Sequence, residues 1–116
     1  MSGAGQVTGI HAVCQALPGA LLTFPFGEET AVFKVGGKVF ALTGADSPTH
    51  VTLKAEPADV TGLVETYAAV ERGYHMNKKH WITVQVDGSL PEGLLEELVE
   101  DSYDLVVDGL PARDRP

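Results

Sequence analysis

Apolar positions change their period several times along the chain, and each change marks an element. Ile10, Cys14, Leu17 and Leu21 fall at i, i+4, i+7 and i+11, one face of a helix predicted over Val7–Leu17. Thr8 would cap it and Pro18-Gly19 would stop it. Leu21–Phe26 reads as a strand bent at Pro25. Next, the β-rich runs TAVFKV and KVFALT flank Gly36-Gly37, which predicts a two-residue hairpin. In that register Val35 faces Lys38, Phe33 faces Phe40 and Ala31 faces Leu42, while Lys34 turns to the other side with Val39 and Ala41. His50–Lys54 is a short strand, and Pro57 suits the first position of a helix that buries Val60, Leu63, Val64 and Tyr67. The segment from Gly73 to Lys79 reads as a loop. In the last strand, His80–Val86, Ile82, Val84 and Val86 take the core side and Trp81, Thr83 and Gln85 the other. Ser89 with Glu92 three residues on predicts a capping box. The final helix then carries Leu94, Leu95, Leu98, Val99, Val106 and Val107, with a break near Ser102. Gly109 and Pro111 end it, leaving residues 111–116 as a frayed tail.

Strands grouped centrally with helices at both ends predict an α+β fold: a two-layer sandwich with one largely antiparallel sheet and helices on one face. A chain of 116 residues forms one domain, 1–116, with a single core. The other sheet face is left more open, and Trp81 projects from it.

Charge refines this picture through its distribution. Up to Val86 seven acids meet six bases; from Asp87 onward nine acids meet two. The net charge of −8 therefore sits mainly in the C-terminal segment, and it argues against indiscriminate nucleic-acid binding without excluding one basic face. A single cysteine, the lack of a long apolar run and an N-terminus without a leader pattern together point to a cytoplasmic protein with no membrane association.

Candidate chemistry concentrates in GYHMNKKHW, residues 73–81. Lys78 and Lys79 attract phosphate, Asn77 can donate to and accept from a base edge, and Tyr74, His75 and Trp81 offer flat faces for stacking. The alternative is a structural loop: Gly73 serving the turn, Tyr74 and Met76 tucked under the sheet, the lysines solvated. His75 and His80 match no zinc spacing and Cys14 is the only thiol, so neither a metal nor another cofactor is expected. Glu92, Glu96, Glu100 and Asp104 recur every four residues, a pattern of a solvated helix face. No catalytic motif is present, so no catalytic residue is assigned and an enzyme is not expected.

The stretches PGALLTFPFGEETAVFKVGGKVFAL, GYHMNKKHWITV and SLPEGLLEELVEDSYDLVVDGLP resemble the MmcQ/YjbR family of small bacterial proteins, from about Ile10 to Pro111. The resemblance implies a CyaY-like (frataxin-like) sandwich and the family's label of DNA-binding protein with a double-wing motif. By position its signature falls on Gly73 to Trp81, with the Gly36-Gly37 hairpin as a wing. The expectation is a non-enzymatic protein that binds DNA weakly. Lys34, Lys38, Arg72, Lys78 and Lys79 would meet phosphates; Tyr74, His75, Asn77, His80 and Trp81 would line the rest of the site. Two other functions fit the sequence: a small-molecule or nucleotide site in the same loop, and a protein-interaction adaptor using the acidic C-terminal helix.

Overall fold

The structure, a computed structural model, describes residues 2–46, 49–73 and 79–116, with side chains from Gly9 onward. Expectations for Tyr74, His75, Met76, Asn77 and Lys78 lie outside the described residues. Helix α1 (Ser2–Ala16) leads into β1 (Leu21–Thr23), β2 (Thr30–Val35), β3 (Lys38–Gly44) and β4 (His50–Lys54). Then come α2 (Pro57–Thr66), β5 (Val70–Arg72), β6 (Trp81–Gln85), α3 (Leu94–Asp108) and a 3-10 turn, Ala112–Asp114. The six strands form one sheet in the order β1-β2-β3-β4-β6-β5, every neighbouring pair antiparallel. The fold is thus the α+β architecture the sequence predicts.

Alternation along the strands sends Phe33, Val35, Val51, Leu53, Ile82 and Val84 to one face, all essentially inaccessible to water. They form a single cluster with Ile10 and Cys14 of α1, Val60 of α2, and Leu98, Val99, Tyr103 and Val106 of α3. Three rings run through it in sequence: Phe33 to Phe40 at 6.3 Å, and Phe40 edge-on to Tyr103 at 5.4 Å. The Tyr103 hydroxyl donates to the Pro18 carbonyl and ties α3 to the end of α1. Cys14 is wholly buried in this core, and burial pushes its thiol up to about 12. A maleimide at pH 8 should therefore leave the native protein almost unlabelled and label it promptly in denaturant. Equal rates in both states would show that Cys14 is not held in the core.

Several local expectations are corrected. The β2–β3 ladder keeps Val35↔Lys38 and Lys34↔Val39 but then pairs Phe33 with Ala41 and Val32 with Leu42. Phe40 is an extra residue, a bulge that lets Phe40 and Ala41 both reach the core. β1 stops at Thr23, because Phe24-Pro25-Phe26-Gly27 closes as a turn, Gly27 N–H to Phe24 C=O at 3.3 Å. The capping box does not form: Ser89 N–H bonds the Asp87 carboxylate at 2.9 Å, and α3 starts only after Gly93, at φ +84. Hydrogen bonding from the Ser89 side chain, and then from its backbone N–H, holds the exposed Asp87 carboxyl below its ordinary range. α3 runs unbroken past Ser102.

Nor is the tail frayed. The Arg115 guanidinium donates to the carbonyls of Leu110 and Asp108, each at 3.0 Å, covering the C-terminal end of α3. Gly36 has no Cβ where Leu110 packs against the hairpin tip.

Candidate functional site: one basic end of the sheet

The loop from Gly73 to His80 is the connection of a β5–β6 hairpin, a point hidden from the sequence because β5 has only three residues. Gly73 N–H donates to the Trp81 carbonyl at 2.7 Å and closes the neck of that loop. Gly73 is itself buried, and a Cβ on it would lie 2.7 Å from the Trp81 Cβ. The motif glycine is therefore required for close approach of two strands.

Strand direction decides what surrounds this neck. β2 ends, β3 begins, β4 ends, β5 ends and β6 begins at the same edge of the sheet, as the antiparallel registers require. Lys34 and Lys38 flank the Gly36-Gly37 tip, Lys54 closes β4, Arg72 closes β5, and Lys79 precedes β6. The C-terminal turn, packed against Gly36, adds Arg113 and Arg115. All seven lysines and arginines among the described residues thus sit at one end of the molecule. Glu28, Glu29, Asp46 and Asp87 lie in the connections at the opposite end.

Within this end the candidate residues divide between faces. Lys34, Lys54 and Trp81 share the face away from the helices, with Lys54 and Trp81 directly paired across strands and all three partly buried. Lys38, Lys79 and Arg113 are exposed at the rim. Arg72 turns to the helical layer instead, donating to Thr61 of α2 at 3.1 Å. His80 is half-buried, and its carbonyl accepts from Ala55 N–H at 2.8 Å. The face away from the helices continues inward as the cross-strand row Thr23, Val32, Leu42, Thr52, Thr83 and Glu71, of which Val32 is fully buried. Sequence reasoning missed Lys54, Arg113 and Arg115; an antiparallel strand order would have placed the first.

The helical side carries the opposite sign. A groove of about 290 Å³ between α2 and α3 is lined by Leu63, Leu98 and Leu105, by the acids Glu56, Asp59, Asp101, Asp104 and Asp108, and at the end of β4 by Lys54 and Ala55. Partial burial there, with Glu97, Asp104 and Asp59 nearby, holds the Asp101 carboxyl above its ordinary range. Among the described residues, no group of three His, Cys, Asp or Glu side chains is placed to hold a metal ion. No helix formed by them is long and apolar enough to cross a membrane.

Comparison with known proteins gives the chain its relatives. The YjbR family profile matches residues 15–105. YbdF of Escherichia coli O157:H7 is 44% identical over 100 residues, covering 85% of this chain and 82% of that one. YjbR of Escherichia coli strain K12 is 34% identical over 103 residues, covering 88% and 87%. The crystal structure of Deinococcus radiodurans protein DR2400, a DUF419 domain, superposes with a TM-score of 0.85 at 41% identity, over 93% of this chain and 83% of that one. A Pseudomonas syringae protein superposes with a TM-score of 0.69 at 27% identity, over 84% and 96%. With a profile match over most of its length and relatives this similar, the chain belongs to the YjbR family.

Proposed function

We propose that this is a non-enzymatic cytoplasmic protein that binds nucleic acid, DNA in the first instance, through the basic end of its sheet. One observation carries the reading: every described cation gathers at that end in a chain of net charge −8. Such segregation is what an acidic protein needs to meet a polyanion, because the bulk of its carboxylates then lie on the helical face or at the far end. The hairpin tip is one arm at this end, and the 73–81 segment, whose neck is closed between Gly73 and Trp81, would be the second. The centres of β3 and β6 are two strand spacings apart, about 10 Å.

Trp81 is the only tryptophan and lies in this end, so its emission reports binding directly. With roughly four phosphate contacts, affinity for a short duplex should fall about a hundredfold between 50 and 200 mM salt. Replacing Lys38 and Lys79 together by alanine should flatten the plot of log affinity against log salt by about 2. An unchanged slope would remove these lysines from the interface. A response to mononucleotide that does not depend on polymer length would make the end a nucleotide site. Silence with all ligands, in folded protein, would move the function to a basic protein partner at the acidic α2–α3 groove.

A further inference from the structure

We infer that the C-terminal turn is a third arm of the same basic end, and that Arg113 in it binds a phosphate of the nucleic-acid backbone. The inference rests on the nucleic-acid reading above and extends it to a segment whose sequence, ARDRP, suggests only a frayed tail.

The turn is built and seated. Asp114 N–H donates to the Pro111 carbonyl at 2.9 Å and Arg115 N–H to the Ala112 carbonyl at 3.3 Å. At Gly36 a Cβ would run into the Leu110 side chain and stand 3.2 Å from the Asp114 carbonyl oxygen. At Gly19 it would stand 3.0 Å from Cγ of Pro116. Two glycines thus make room for the tail, one at the hairpin tip and one after α1. Leu110 is buried as the anchor.

The two arginines of the turn then have different work. Arg115 is engaged by the Asp108 and Leu110 carbonyls, and its charge offsets the negative end of α3. Arg113 is exposed and precedes Asp114, whose carbonyl oxygen stands 3.2 Å from where a Gly36 Cβ would lie, and Lys38 follows Gly36 by two positions in the hairpin. Asp108 and Asp114 are the carboxylates nearest in sequence, and Arg115 donates to the backbone carbonyl of Asp108. A guanidinium in this place offers a planar fork for phosphate oxygens, which a lysine matches in charge only. From β2 to β5 the basic edge spans four strand spacings, about 19 Å, enough for roughly five phosphates of one strand.

The test compares wild type with Arg113→Ala, Arg113→Lys and Arg113→Glu, titrating a 16-base-pair duplex from 50 to 200 mM NaCl. Alanine should weaken binding roughly tenfold at 0.1 M salt and flatten the salt slope by about 0.9. Lysine should restore the slope, and glutamate should weaken binding further than alanine. Melting temperatures should stay within a degree or two, since Arg113 is exposed. If wild type binds and Arg113→Ala keeps its affinity and slope, the third arm is wrong while the nucleic-acid reading stands. A lowered melting temperature with an unchanged slope also overturns it, because the turn is then structural alone. Failure of wild type to bind any duplex overturns both.

Discussion

Replacing Ser102 by alanine should lower the unfolding free energy by about 2–4 kcal/mol, more than any other single hydroxyl in the described structure. Ser102 is fully buried on α3, and its hydroxyl accepts from Lys54 N–H at 2.8 Å while donating to the Phe40 carbonyl at 2.6 Å. Those two backbone groups belong to neighbouring strands. The β3–β4 ladder runs Thr43↔Val51, Leu42↔Thr52 and Ala41↔Leu53, then stops where Phe40 is the extra residue. Ser102 enters the sheet at that gap and completes the broken rung from the helix. Alanine would leave a buried donor and a buried acceptor without partners, each costing about 1–3 kcal/mol, against a gain in helix propensity of roughly 0.5 kcal/mol. Urea unfolding should show a lower midpoint with an unchanged slope. A loss below about 0.5 kcal/mol would mean that the strands rejoin directly or that water enters, and the bridge would not be a source of stability.

The same residue shows what the Asp-Ser-Tyr triplet, part of the third stretch that carries the resemblance, does in the fold. Ser102 mends the bulge, Tyr103 packs edge-on against the bulged Phe40 and bonds Pro18, and Asp101 faces outward. The hairpin, the helix start at Pro57 and the two faces of the last strand were all legible from periodicity and turn chemistry. The bulge was not, because an extra apolar residue beside another leaves no trace in an alternating pattern. β5 escaped notice since Val70 is its only buried side chain and its strand character comes from pairing with β6. Ser89 misled through competition: the Asp87 carboxylate takes its N–H before a helix can form. The tail misled because its partners, Gly19 and Gly36, are distant in sequence. The candidate site followed the same rule. Its motif was visible as residue types, but the gathering of cations at one end depends on strand direction, which linear charge counting cannot express.

Gly73→Ala should cost about 2–4 kcal/mol, for a reason independent of backbone conformation. The added Cβ would stand 2.7 Å from the Trp81 Cβ, 3.0 Å from its carbonyl oxygen and 3.1 Å from its carbonyl carbon. Two of these atoms are backbone and can yield only by opening the 2.7 Å hydrogen bond that closes the loop neck. Overpacking of this kind costs about 1–3 kcal/mol and the lost bond about 1 kcal/mol more. β5 is an edge strand of three residues, so little else holds the hairpin shut. The variant should unfold at lower urea, and its Trp81 emission should shift even while native. Binding measured where both proteins are fully folded then separates the proposed binding role of the motif from its structural one. If the loop is an arm of the interface, opening its neck should reduce duplex affinity beyond what stability explains, since Lys79, just before β6, is then displaced relative to the hairpin tip. If affinity holds while stability falls, Gly73 serves the fold and the contacts belong to the hairpin and the C-terminal turn. If stability holds as well, the strands separate freely at Trp81, and the close approach that gives this glycine its place in the motif is not enforced in solution.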